Sequence, residues 1–208
     1  LKSAYIGISM GLGGTDAAKE VSDMVLLNND FSNIIHAISE GRTILRNIKR
    51  AIFFLLSTNF GELLIISTSV FAGLPLPLTA VQILWINSIT DTTSGLALAV
   101  EPKHSDVLKK PPVSKKEKII SSAMFWRIIL VAITMTIVKM MVFAIELKNN
   151  VPLDEIRSLI FALMSVLQLA NLFNCRSFKE SIFKMDIYSN PWIWLSFLLS
   201  FILTIGTI

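Results

Sequence analysis

Charge is what this sequence has least of. Only 16% of its 208 residues are Asp, Glu, Lys or Arg, while 53% are hydrophobic and the mean hydropathy is +0.64. Soluble domains carry about 25% charged residues, so an ordinary soluble globular protein is excluded. The richness in apolar residues excludes a disordered chain. A single cysteine, Cys175, excludes an internal disulfide or a cysteine-built metal site. The two histidines, His36 and His104, show no ligand-like spacing and read as solvated. Initiator methionine, signal peptide, internal repeat and low-complexity linker are all missing. The opening LKSAYIGISMGLGG reads like the middle of a folded α/β unit, so the chain reads as a piece of something longer.

What is present is a series of apolar runs. A membrane-spanning helix needs about 20 apolar residues, and five runs approach or exceed that, at about residues 51–74, 78–100, 123–145, 158–173 and 192–208. Basic residues alternate between the connecting segments. Arg42, Arg46, Lys49 and Arg50 precede the first run. Lys103, Lys109, Lys110, Lys115, Lys116 and Lys118 follow the second, and Arg176, Lys179 and Lys184 follow the fourth. The two remaining links hold only Lys148 and Arg157. By the positive-inside rule the rich segments, and with them the amino-terminal segment, are expected to be cytoplasmic. The net charge of +4 is therefore a topology signal, and no nucleic-acid partner is expected. Trp126, Trp192 and Trp194 fall near span ends, where indoles favour the interface. Arg127 and Lys139, inside the third run, are expected to snorkel to its two ends.

Residues 1–50 differ in character. IGISM and SDMVLL read as short strands around a glycine-rich turn and a short helix, and GLGGTDAAK lacks the spacing of a phosphate-cradling P-loop. Asp30 or Ser32 is suited to cap a helix beginning near Phe31. No breaker except Gly41 separates that helix from the first span. One long helix, or two nearly continuous ones, is expected to run from a cytoplasmic segment into the membrane and to couple the two. The expected fold class is mainly α: a polytopic membrane helix bundle of five spans over residues 41–208, with a partial α/β cytoplasmic segment at residues 1–40.

Ionisable groups inside a membrane are costly and mark function by default. In the first span Asn59 and Glu62 share a helix face, and in the second Asn87, Thr90 and Asp91 have i, i+3, i+4 spacing. Counting 1.5 Å per residue puts Glu62 and Asp91 at similar depths, ~17 and ~14 Å from the cytoplasmic side, on neighbours joined by the short GLPLP turn. In the fourth run Gln168, Asn171 and Asn174 repeat an i, i+3 pattern. These groups offer only oxygen, which suits Ca²⁺, Na⁺ or K⁺ rather than Zn²⁺ or Cu⁺. Interhelical hydrogen bonding is the plainer role for Asn171 and Asn174. The weak helix formers Thr92, Thr93, Ser94 and Gly95 predict a break or loosening between Thr90 and Gly95.

With these residues in view, the sequence resembles the carboxy-terminal part of a P-type cation-transporting ATPase of the calcium-pump type. IGISMGLGGTDAAKEVSDMVLLNNDF resembles the end of that family's HAD-like phosphorylation domain, and EGRTILRNIKRAI the stalk leading into its fifth transmembrane helix. STNFGE, LPLPLTAVQILWINSITD and VEPKHSDVLKKPP resemble helices five and six and the following loop. NLFNCRSFKESIFKMDIYSNPW resembles the end of helix eight and the approach to helix nine. The resemblance implies an ATP-driven pump of the plasma membrane with a phosphoenzyme cycle. Asn59, Glu62, Asn87, Thr90 and Asp91 fall on its cation-ligand positions. Gln168 falls where two-site calcium pumps have a glutamate, which implies one Ca²⁺ rather than two. Na⁺ and K⁺ pumps also have glutamine there, but an aspartate at the Asn87 position. Proline is frequent at the Ser94 position. The phosphorylated aspartate of the DKTG motif, the sites for ATP and Mg²⁺, the actuator domain and helix four are expected on preceding segments. A Na⁺/K⁺-type pump is the alternative within the class. A passive cation channel or membrane scaffold is the alternative outside it, and an upstream DKTG motif separates pump from channel.

Overall fold

The computed structural model describes residues 1–28, 30–103, 107–109, 111, 118–177 and 186–207. His104, Lys110, Lys115, Lys116, Lys179 and Lys184, expected on basic loops, lie outside the described residues. The chain divides into two units, Leu1–Thr43 with Lys103–Lys110, and Ile44–Pro102 with Pro111–Ile208.

In the first unit, β1 (Ile8–Met10) and β2 (Met24–Leu26) pair in parallel, Ser9 opposite Val25, with α1 (Asp16–Glu20) in the crossover. Parallel pairing requires such a crossover. Thr15 caps α1 by accepting from the Ala18 N–H. The turn leaving β1 needs Gly14, because a Cβ there would sit 2.0 Å from the Met10 carbonyl oxygen. Gly14→Ala is accordingly expected to cost about 1–3 kcal/mol, the usual range for forced overpacking. Limited proteolysis of the full-length protein checks this through faster cutting within residues 1–43; an unchanged cleavage rate would show that the turn has room for a methyl group. Helix α2 (Ser32–Phe71) follows. Asp30 precedes it and accepts from both the hydroxyl and the N–H of Ser32, at 2.6 and 2.8 Å. The hydroxyl bond first, then the N–H bond, hold its exposed carboxyl below the usual range.

Helix α2 runs 40 residues without a break at Gly41, and its later part belongs to the second unit. It ends in a Schellman motif: the Leu74 N–H reaches the Ser69 carbonyl, the Gly73 N–H reaches that of Val70, and Gly73 takes φ +65°. Thr79 and Gln82 then form a reciprocal capping box for α3 (Ala80–Trp85). A π-helical turn (Ile86–Asp91) and α4 (Thr92–Ala99) continue it directly. Helix α5 (Ser122–Lys148) ends in a second Schellman motif with Asn150 at φ 58°, α6 spans Leu153–Cys175, and α7 spans Pro191–Ile205.

The protein is mainly α and multi-pass. By length and composition α2, α5 and α6 are each able to cross a membrane. The other two expected spans take different forms. Residues 80–99 are helical throughout but change winding at the π turn, and α7 is 15 residues long. Helix α6 begins five residues earlier than its apolar run, because Asp154 and Glu155 occupy its first turn, where the helix dipole favours them.

Two apolar clusters organise the second unit. One holds Phe53, Phe54, Leu98, Ile128, Leu172 and Cys175. The other includes Ile65, Ile86, Phe143, Ile160, Phe161 and Met164. On α2, on residues 86–98 and on α6, the polar residues 57–62, 90–91 and 165–171 fall between members of one cluster and members of the other. Leu130, Ile137 and Met141 on α5 stay exposed, as a lipid-facing surface requires. Cys175 is fully buried in the first cluster.

Candidate cation site

The polar layer is built from α2, the π turn and α6. Glu62 is 5% exposed and Asp91 2%, so neither carboxylate faces outward. Glu62 accepts from Asn87 Nδ2 at 2.9 Å on one oxygen and from Gln168 Nε2 at 3.0 Å on the other. Asp91 Oδ2 accepts from the Thr58 hydroxyl at 3.1 Å and from Asn59 Nδ2 at 3.4 Å. The structure thus brings five of the six expected residues into two adjoining clusters, one around each acid. Thr90 is the sixth; its side chain is fully buried beside Asp91 in the chain. Asn59 is the outlier in burial: it is exposed, and its amide also donates to the Leu55 carbonyl at 2.7 Å.

Four oxygens in this layer are buried without a hydrogen-bond partner among the described residues: Thr90 Oγ1, Asp91 Oδ1, Gln168 Oε1 and Asn171 Oδ1. Leaving such an atom unsatisfied costs about 1–3 kcal/mol, and native interiors rarely tolerate several together. Oxygens with free lone pairs beside two carboxylates are the donor set of a hard cation. Among the described residues no three His, Cys, Asp or Glu side chains are placed to hold a metal, so amide and hydroxyl oxygens make up the set. A cleft of about 340 Å³, lined by Leu55, Asn59, Asn87, Asp91, Thr92 and Gly95, reaches Asp91.

Asn87, Thr90 and Asp91 all lie in the π turn, and Asn87 and Asp91 both bond to α2. An i→i+5 turn carries one extra residue and shifts the carbonyl ladder, and such turns recur at functional sites. Here the Thr92 hydroxyl donates to the Asn87 carbonyl at 3.0 Å and the Thr93 hydroxyl to that of Ile89 at 2.7 Å. The expected loosening between Thr90 and Gly95 is therefore corrected: the irregular turn is Ile86–Asp91, and residues 92–99 form a regular helix. Thr93 and Ser94 hold that helix against α7 through Ser200 and Ser196, at 3.1 and 3.3 Å.

Three contributors escaped the sequence reading. Thr58, four residues before Glu62, was legible by spacing. Ser57 accepts from Asn171 Nδ2 at 3.0 Å, so Asn171 does make the interhelical bond expected of it while its oxygen stays open. Lys139 is the third, and its expected snorkelling is corrected: the side chain is fully buried and donates to the Gly61 carbonyl at 3.3 Å. Arg127, by contrast, is exposed, and so is Asn174, which takes no part in the layer.

Apolar helices around a buried, oxygen-lined acidic layer define a multi-pass membrane helix bundle. The family described as "Cation transporting ATPase, C-terminus" matches residues 75–208, and the chain belongs to it. It is 37% identical over 193 residues to "Probable cation-transporting ATPase F" of Mycobacterium tuberculosis, covering 93% of this chain and 21% of that protein. It is 36% identical over 221 residues to "Calcium-transporting ATPase 1" of Bacillus cereus, covering 99% and 25%. It is 38% identical over 190 residues to "Calcium-transporting ATPase type 2C member 1" of Mus musculus, covering 91% and 21%. The chain spans about a fifth to a quarter of the length of the curated relatives it matches.

Proposed function

We propose that this chain supplies the membrane cation site of an ATP-driven P-type pump that moves Ca²⁺ out across the plasma membrane through a phosphoenzyme cycle. The observation that carries this reading is the group of buried, unpartnered oxygens on Thr90, Asp91, Gln168 and Asn171 beside two acids. A Ca²⁺ ion takes six to eight oxygens at about 2.3–2.6 Å, and its arrival satisfies lone pairs that the helices leave open. Asp91 supplies charge, Thr90, Gln168 and Asn171 supply neutral oxygen, and Asn59 and Asn87 stand at the cleft. The calcium-transporting relatives support the choice of cation. ATP with Mg²⁺ binds to the preceding domains of the full-length protein, and the basic segments support a cytoplasmic position for residues 1–50.

Sealed vesicles carrying the full-length protein provide the test. ATP is expected to drive accumulation of radioactive Ca²⁺, and replacing the upstream phosphorylated aspartate is expected to abolish it. ATP hydrolysis stimulated by Na⁺ or K⁺ instead would move the assignment to the monovalent pumps. Cation flux that proceeds without ATP would make the protein a channel and end the pump reading.

A further inference from the structure

Helix α7 has no part in the function just proposed, yet its hydroxyl side chains, Ser196, Ser200 and Thr204, are buried while Leu195, Leu198 and Ile202 are exposed. Ser196 and Ser200 meet at one atom, the Thr93 hydroxyl of α4. Ser196 donates to it at 3.2 Å, and Ser200 lies 3.1 Å from it. Thr93 in turn donates to the Ile89 carbonyl at 2.7 Å. A hydroxyl has one proton to give and two lone pairs. With its proton on Ile89, Thr93 therefore accepts from both serines. Accepting two bonds polarises a hydroxyl and strengthens the bond it donates. The Ile89 carbonyl, which also accepts the Thr92 N–H, belongs to the π turn, one residue before Thr90 and two before Asp91. The Thr90 hydroxyl and Asp91 Oδ1 are buried with no hydrogen-bond partner among the described residues. No side-chain bond aims the Thr90 hydroxyl, so its direction follows the backbone of the turn.

We propose that Thr93, Ser196 and Ser200 are positioning residues of the cation site: the two α7 hydroxyls hold Thr93 on the Ile89 carbonyl, and that bond fixes where Thr90 and Asp91 present their open oxygens. The inference rests on the Ca²⁺ reading of the same site. Ca²⁺ takes six to eight oxygens at about 2.3–2.6 Å, so an oxygen that swings out of that range lowers affinity. Hydroxyls between membrane helices commonly serve as interhelical hydrogen bonds. That role alone would stabilise the bundle and leave ion affinity unchanged. Two features favour positioning. Both serines converge on a single threonine, and that threonine bonds within the turn that carries Asn87, Thr90 and Asp91.

The test uses the full-length protein as wild type, Thr93→Ser, Thr93→Val, Ser196→Ala/Ser200→Ala and the triple variant that combines Thr93→Val with both serine changes. The measurement is the free Ca²⁺ that gives half-maximal phosphorylation by ATP, with phosphorylation by inorganic phosphate as the sign of a folded protein. Thr93→Val, which keeps the shape and loses the hydroxyl, is expected to raise that concentration roughly threefold to tenfold, the affinity equivalent of one net hydrogen bond. The level reached at saturating Ca²⁺ is expected to hold. Thr93→Ser restores the hydroxyl and is expected to restore the affinity. The serine pair is expected to shift the curve in the same direction, and the triple variant to shift it no further than Thr93→Val, because the serines act only through Thr93. A Thr93→Val protein with a lowered thermal midpoint and an unchanged Ca²⁺ curve overturns positioning in favour of plain packing. Additive shifts in the triple variant overturn the relay. If Thr93→Val does not fold, the serine pair decides: a shifted curve supports the proposal and an unchanged one overturns it. A wild type stimulated by Na⁺ or K⁺ instead removes the Ca²⁺ reading. The same variants titrated with that ion then uphold the positioning role if Thr93→Val shifts the curve, and overturn it if the curve stays.

Discussion

Asp91→Asn in the full-length protein is expected to abolish Ca²⁺-stimulated phosphorylation by ATP and to spare phosphorylation by inorganic phosphate. The substitution keeps size and one oxygen but removes the charge that the open Oδ1 presents to the ion. Truncating one member of a buried charge pair costs about 2–5 kcal/mol, which at 1.4 kcal/mol per decade is on the order of 30- to several thousand-fold in ion affinity. Phosphorylation by phosphate does not require the transported ion, so it reports that the variant is folded. Thr58 and Asn59 can still donate to the amide oxygen, so local packing changes little. The measurement is phosphoenzyme level against free Ca²⁺, from ATP and from phosphate in parallel. An Asp91→Asn protein with an unchanged Ca²⁺ curve would remove Asp91 from the site.

The second large effect is expected at a buried ion pair outside the site. Arg176 Nε donates to Glu101 Oε1 at 2.9 Å, with side-chain exposures of 3% and 0%. Asn190 Nδ2 donates to the other Glu101 oxygen at 2.6 Å and to the Ala97 carbonyl. Asn47 on α2 donates to the Glu101 and Ala99 carbonyls, and Arg50 donates to Asn47. The interior of α2, the ends of α4 and α6 and the start of α7 are thus tied around Glu101, α6 and α7 through its carboxylate and α2 through its carbonyl. Removing one partner of a buried pair costs about 3–5 kcal/mol, whereas replacing both by apolar groups is often neutral. Arg176→Met is therefore expected to lower the thermal midpoint by on the order of 10 °C, and Arg176→Met with Glu101→Leu to regain much of it. A double variant no better than the single would show that the pair is not the main tie.

The helices were legible because apolar runs and caps are local signals. The 40-residue α2 follows from the lack of any breaker but Gly41, and the turn after it from the GLPLP text. Glu62, Asp91 and Gln168 were legible because polar groups stand out in apolar runs. Lys139 stood out too, but its partner lies 78 residues away on another helix. Sequence spacing ranks the nearby interface above such a partner, and packing reversed the order. The irregular turn was misplaced for a related reason. Thr92, Thr93, Ser94 and Gly95 are weak helix formers alone, yet in place the hydroxyls of Thr93 and Ser94 bond to α7 and to the preceding turn. No propensity scale marks Ile86–Asp91, whose π winding reflects how carbonyls are shared among neighbours.

That winding also stores one residue of slack within a helix that is otherwise fully bonded. A wrinkle of this kind can travel: moving it one position along the chain exchanges which carbonyl is displaced and turns the side chain it passes, while the segments on either side keep their hydrogen bonds. Asp91 is the last residue of the wrinkle, and Thr92, already bonded to the Asn87 carbonyl, is the first beyond it. A displacement toward α4 would rotate Asp91 relative to Thr58 and Asn59 without unfolding a turn. The π turn thus leaves room for a one-residue change of register beside Asp91.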